Sequence, residues 1–400
     1  MKHKSILALP IVLVLATATA ASAQSPAASG TAEPAASEAP GASVATATKC
    51  NGESVRYELS FIPNVQHAGF LVAQAQGYYA DEGLNVTFVP GGPGVDPSQD
   101  LPAGAADMAQ VDYIDLVQAR AQGVPIVAIA QNYKDPFFFW YAFKNSGINT
   151  IQDWKGQKVG QIQVGQYPER DAMLLANGLK PTDVTPVQQD FGVDKNFGQP
   201  GGFQIAEGVV FYHPALLNNP TLSIPGHDSH KFPDDFNVFR PQDYGVTMAS
   251  QTTAVTEDYA KAHPDVIQCF LRASIRGWQK TFMDPQSAVT DTMTFVPPGA
   301  IPVQAEQSAI NDVLPIVGTG ADDPTLLQLT PDVYATTVST LQSLDELPSN
   351  ATAAGSYDDS FFNAMGPIAP VPSSAPAASA GASEAPAASE TPAASGSAAP

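Results

Sequence analysis

From Val55 the chain alternates, with Val55, Tyr57, Leu59 and Phe61 apolar and Arg56, Glu58 and Ser60 polar. A period of two predicts a half-buried strand, which Pro63 and Asn64 break. Across 68–76 the apolar spacing turns helical and stops at Gly77, and Leu84, Val86 and Phe88 then alternate again, so the order is strand, helix, strand. The same grammar continues with a strand at 104–111, a helix at 113–121 closed by Gly123, and a buried strand at 126–130. A second round begins near Ser146 and Gly147, with a strand at 158–162, a helix at 171–177, and strands at 184–187 and 205–212. The longest predicted helix starts at Pro264 and sets Val266, Ile267, Phe270, Leu271, Ile275, Trp278 and Phe282 at a 3.6 period. Residues 286–345 read as helical and turn-like segments without firm bounds. Such alternation predicts an α/β protein with helices flanking its sheets.

The two ends are different in kind. Basic residues at Lys2 and Lys4, an apolar run from Ile6 to about Leu15 and the small residues Ala21, Ser22 and Ala23 predict a secretory signal peptide over 1–23. The apolar run falls short of the roughly 20 residues that span a bilayer. Residues 24–48 and 371–400 are Ala/Pro/Ser-rich and lack the large apolar side chains that offset ordering entropy, so they are expected to be a disordered linker and a disordered tail. What lies between is long enough for two lobes, each with its own core. No cysteine stands near the cleavage site to take a lipid anchor, which predicts a secreted, periplasmic or cell-surface protein. Cys50 and Cys269 are the two cysteines, in a disulfide-permissive compartment. Sequence leaves open whether they bridge or whether Cys269 is a buried thiol.

The formal net charge is −21, and loss of Lys2 and Lys4 with the leader takes it to −23. No nucleic-acid partner is expected, because phosphate neutralisation needs a basic face. His227, Asp228 and His230 have metal-like spacing but no third convincing ligand nearby, so no metal site is assigned. Gly91-Gly92-Pro93-Gly94 lacks the Lys-Ser or Lys-Thr of a phosphate-binding loop and reads as a flexible connection. Neither a Gly-x-Ser-x-Gly elbow nor a His-Glu-x-x-His helix occurs. The chain is read as a non-enzyme without a cofactor.

The run from Phe61 through Pro63, Asn64, His67 and Gly69 to Gly77, Tyr78, Tyr79, Gly83 and Val86 resembles the extracytoplasmic solute-binding proteins of ABC importers. The similarity is to the branch related to thiamine-pyrimidine-precursor, riboflavin, nitrate and sulfonate binders. Later landmarks agree: 104–108, 123–128, 146–148, 153–160, 243–245, 270–278 and Asp284-Pro285. This resemblance implies a two-lobed periplasmic-binding-protein (type II) clamp, with lobe 1 at 51–140 plus 250–370 and lobe 2 at 141–249. It implies two strands crossing between lobes, near 139–143 and 244–250, and a ligand cleft closed by hinge motion. The implied partners are a small-molecule solute and an ABC permease in the membrane, for a monomeric binding protein.

Residues at the expected strand ends are the candidate ligand contacts. In lobe 1 they are Asn64, His67, Asp112, Tyr113, Gln131, Asn132 and Tyr133; in lobe 2, Gln163, Gln166, Tyr167, Phe211, Tyr212, His213 and Tyr244. Flat faces for stacking, with amides and a carboxylate for ring nitrogens, suit a heteroaromatic solute, with hydroxymethylpyrimidine or a related thiamine precursor first and riboflavin second. The alternatives are a nitrate, sulfonate or taurine-type solute, and a pyrimidine-precursor synthase like a eukaryotic relative whose cysteine-rich motif is missing here. Plainer roles stand beside these: Asp112 as a helix cap, His67 as a first-turn residue, and Phe137 to Tyr141 as hinge and core packing.

Overall fold

The computed structural model describes residues 47–162, 167–227 and 229–372. The signal peptide, nearly all of the linker, the tail from 373, Gln163, Gln166 and Asp228 lie outside the described residues. Ten strands are named among those described: β1 (Glu53–Glu58), β2 (Leu84–Val89), β3 (Met108–Asp112), β4 (Ile126–Gln131), β5 (Phe138–Phe143), β6 (Lys158–Gln161), β7 (Thr185–Gln188), β8 (Ala206–Val209), β9 (Phe236–Phe239) and β10 (Gln251–Thr256).

The first sheet runs β2-β1-β3-β10-β4, with β10 antiparallel to both of its neighbours. Parallel β1 and β2 set Val55 beside Val86 and Tyr57 beside Phe88, so the alternating apolar positions fall on one face. Helix Ala68–Ala75 crosses helix Pro264–Met283 over that face. Gly277 permits the crossing: a Cβ there would sit 1.9 Å from the Gly69 carbonyl oxygen. In the second lobe β5 lies between β8 and β9, and β6 pairs with β7. A bridge from Val159 to Ile205 joins these into the order β7-β6-β8-β5-β9, which repeats the arrangement of the first sheet. The chain passes into the second lobe through the stretch that leads into β5 and returns through 245–250.

Three expectations shift. The strand expected at 104–111 starts only at Met108, because Gly104 takes φ +78° in a turn. The strand expected at 205–212 stops at Val209, whose N–H is accepted by His213 Nδ1, and helix His213–Leu217 begins at once. The crossing near 244–250 is not a strand. Pro241–Tyr244 is a 3-10 turn closed by Gly245 at φ +82°, and the ladder resumes at Gln251.

Cys50 and Cys269 are bridged, with 6.3 Å between Cα atoms. Beside them the buried Arg272 donates to Glu82 at 2.6 Å, to the Met365 carbonyl at 2.6 Å and to the Thr48 carbonyl at 2.7 Å. One guanidinium therefore ties both ends of the described chain to the long helix. In the chain-entropy model, closing this loop stabilises the fold by up to about 5 kcal/mol. The C50S/C269S double variant is expected to lower the unfolding free energy in urea by roughly 2–5 kcal/mol; an unchanged midpoint would show the bridge to be energetically idle.

Candidate functional site

The C-terminal ends of β1, β3 and β4, with the N-terminal end of the antiparallel β10, form the first wall of the interlobe crevice. Ser60, just past β1, gathers three glutamines: its hydroxyl accepts from Gln251 Nε2 at 2.6 Å and Gln66 Nε2 at 3.1 Å, and lies 3.4 Å from Gln110 Oε1. Tyr133 donates to the Gln66 carbonyl at 2.6 Å, and Asn132 accepts from Thr253 at 2.9 Å. Gln110 Nε2, Gln131 Oε1, Asn132 Nδ2 and Gln251 Oε1 are buried without a hydrogen-bond partner among the described residues. Asn64 accepts from the Gln66 N–H at 2.8 Å and opens the short turn Val65–His67. His67 is fully buried, and burial pushes its imidazole down to about 3, so the ring is neutral at physiological pH.

The second wall comes from the ends of β6, β7 and β8. Phe61 of the first lobe stacks on Phe191 of the second, with centroids 6.3 Å apart and planes 26° apart. Phe191 also meets Tyr212 at 4.7 Å, and these two rings are 42% and 38% exposed. Exposed large aromatics at the meeting edge of two lobes are available to a flat guest. Behind them His213 is buried and pushed down to about 4 by that burial. Phe211 packs on Phe137 at 5.6 Å, and Tyr167 meets Phe138 edge-on at 6.2 Å.

Carboxylates dominate the charge. Burial raises Glu207 on β8 to about 8, against the pull of the Ile162 N–H, which it accepts at 2.6 Å, and of Tyr167 and Arg170. Glu169, in the first turn of helix Pro168–Ala176, is raised by burial to about 7, with Asp115 of the other lobe adding repulsion. Asp112 caps helix Tyr113–Ala121 through the Ile114 N–H at 3.0 Å. Its carboxyl is held well above the ordinary range, by desolvation first and then by Asp115 and Glu169. Glu58, expected on a solvent face, is buried and raised to about 7 by desolvation, Asp100 and Asp96. Arg170, a buried cation here, already serves Asp171 at 2.8 Å and Gln161 at 2.9 Å.

The structure brings Asn64, His67, Gln131, Asn132 and Tyr133 together on one side, and Tyr167, Phe211, Tyr212 and His213 on the other. It does not bring Tyr113 or Tyr244 there. The Tyr113 hydroxyl pairs with Ser356 at 2.6 Å and its ring packs edge-on against Tyr334, on the side that the C-terminal segment covers. Tyr244 lies in the 3-10 turn against Phe239 at 5.9 Å. Sequence reasoning passed over Ser60, Gln66, Gln110, Gln251, Phe61, Phe191, Glu169 and Glu207. Phe61 adjoins an assigned strand end and was legible; Gln110 and Gln251 meet only because β10 returns beside β3. Elsewhere, His227 stacks face to face on Phe143 at 3.5 Å, and a cavity of about 270 Å³ opens between helices Pro168–Ala176 and Pro331–Ser343, away from the aromatic edge.

A family model described as NMT1/THI5 like matches residues 64–288, more than half of the chain. The riboflavin-binding protein RibY of Chloroflexus aurantiacus is 26% identical over 298 residues, covering 73% of this chain and 77% of that protein. The formylaminopyrimidine-binding protein of Halalkalibacterium halodurans is 27% identical, covering 60% and 70%. A 4-amino-5-hydroxymethyl-2-methylpyrimidine phosphate synthase of Saccharomyces cerevisiae is 27% identical over 61% and 72%. Among solved structures, the periplasmic aliphatic sulphonate binding protein of Escherichia coli superposes with a TM-score of 0.56 at 17% identity, covering 76% and 91%, a likeness of fold.

Glu169 and Glu207 hold protons in the folded chain to higher pH than in the unfolded one, where the ordinary value is 4.5. Stability should therefore fall as pH rises from about 4.5 through 8. Urea midpoints measured between pH 5 and pH 8.5 are expected to decline, and Glu207→Gln to flatten the upper part of the curve. A level wild-type profile would contradict this.

Proposed function

This chain belongs to the NMT1/THI5-like family, and from that premise we propose that it is the extracytoplasmic solute-binding component of an ABC importer, holding a small flat heteroaromatic solute between its lobes. The observation that carries the reading is the aromatic contact of Phe61 with Phe191 across the crevice, with Tyr212 packed beside Phe191 on the same lobe. A planar guest entering there gains stacking and apolar burial from both lobes at once. Because each lobe supplies one face, only the closed arrangement delivers the full interaction, and that difference drives hinge closure. No bond needs to be made or broken.

The charge of the walls narrows the solute. A nitrate, sulfonate or taurine guest needs uncommitted cations or converging N–H donors, and the crevice instead gathers Asp112, Asp115, Glu169 and Glu207 around an arginine already engaged. A neutral or weakly basic heterocycle with both N–H donors and ring acceptors fits amides and proton-holding carboxyls. A pyrimidine of the thiamine-precursor type is the first choice and riboflavin the second, consistent with what the two binding-protein relatives are named for. Export by residues 1–23 and docking of the closed form on a membrane permease complete the proposal.

Calorimetric titration with 4-amino-5-hydroxymethyl-2-methylpyrimidine, riboflavin and taurine tests it. One of the two heterocycles is expected to bind one per chain, and taurine is not. Phe191→Ala and Tyr212→Ala should each weaken that binding by about tenfold, the scale of one aromatic contact, with little change in ligand-free unfolding. Binding of taurine alone would reverse the assignment.

A further inference from the structure

We propose that Ser60 is the specificity-determining donor of the crevice, reading a hydrogen-bond acceptor on the solute with a polarity set by Gln66 and Gln251, and this rests on the crevice being the binding site. A hydroxyl has one hydrogen to donate and two lone pairs to accept with. Both lone pairs of Ser60 are occupied, by Gln251 Nε2 at 2.6 Å and Gln66 Nε2 at 3.1 Å. The hydroxyl can therefore act toward anything else only as a donor. Its one acceptor among the described residues, Gln110 Oε1, is 3.4 Å away, beyond the 2.5–3.0 Å of a normal O–H···O bond, and already receives the Ser60 N–H at 3.3 Å.

The surroundings hold this polarity. Asn64 Nδ2 faces Gln66 Oε1 at 3.4 Å, which turns the Gln66 amide nitrogen toward Ser60, and the Gln66 backbone is clamped by Asn64 and Tyr133. Gly91 presses on the other side: a Cβ there would lie 2.2 Å from the Leu59 carbonyl oxygen and 2.8 Å from the Phe61 nitrogen. The glycine motif at 91–94 thus begins with a close backbone approach that leaves Ser60 little slack. Ser60 is half-buried and immediately precedes Phe61, whose ring stacks on Phe191. A ring nitrogen lone pair, carbonyl or hydroxyl oxygen satisfies the Ser60 hydrogen; an edge carrying only N–H groups does not, because two donors would then face each other.

The test uses the exported full chain and whichever of riboflavin or 4-amino-5-hydroxymethyl-2-methylpyrimidine binds the wild type. Ser60→Ala is expected to weaken binding about tenfold, as for one lost hydrogen bond in a desolvated site. Gln251→Glu should give a similar loss, since a carboxylate only accepts and draws the Ser60 hydrogen inward. The double variant S60A/Q251E should then be no weaker than the weaker single one. Ligand-free thermal unfolding checks each fold, and Gln66→Glu asks the same question from the other amide should Q251E not fold. Unchanged affinity in S60A, or additive losses in the double variant, overturns the role of Ser60. A wild type that binds neither probe overturns the solute-binding reading, and Ser60's role with it.

Discussion

Phe61 and Phe191 belong to different lobes and meet with their rings 6.3 Å apart. If a flat solute is bound between them as proposed, affinity and closure become the same event. The rest of the architecture serves that meeting. The glycine crossing of helices Ala68–Ala75 and Pro264–Met283 seats the loop that carries Phe61, and the β6-β7 and β8-β5-β9 ladders carry Phe191 and Tyr212 to the opposite edge. The chain links the lobes through the stretch that leads into β5 and through the segment 245–250.

Against this attraction stands a cluster of carboxyls at the junction of the lobes, with Glu169 and Glu207 buried. Asp112 and Asp115 approach Glu169 from the opposite lobe, and Arg170 is spent on Asp171 and Gln161. Like charges cannot all remain ionised at such a junction, so protons stay on some of them near neutral pH. That arrangement repels an anion and favours a guest rich in N–H groups. In the proposed reading charge and shape select together: the rings ask for a plane, the carboxyls for donors at its edge, and the amides around Ser60 for an acceptor.

Much of the fold was legible in the chain. Period-two runs at Val55 to Phe61 and Leu84 to Phe88, and the 3.6-period run from Val266 to Phe282, are local signals, and each became the element it announces, except that β1 stops at Glu58 and leaves Leu59 to Phe61 in the loop beyond it. The site was legible only in part. Asn64, Gln131 and Tyr133 follow strand ends and reach the crevice wall, but Tyr113, one residue past Asp112, turns to the opposite side and pairs with Ser356. Alternation also implied that Glu58 faces solvent, whereas the segment at 96–100 covers it. Gln110 and Gln251 converge on Ser60 through strands 141 residues apart in the chain, an encounter that no window along the sequence contains.

The most direct measurement is mass spectrometry of the small molecule released from protein purified gently from its own host. A flat, uncharged or weakly basic nitrogen heterocycle, one per chain, is the result expected. An alkanesulfonate or another anion in that stoichiometry would contradict the account.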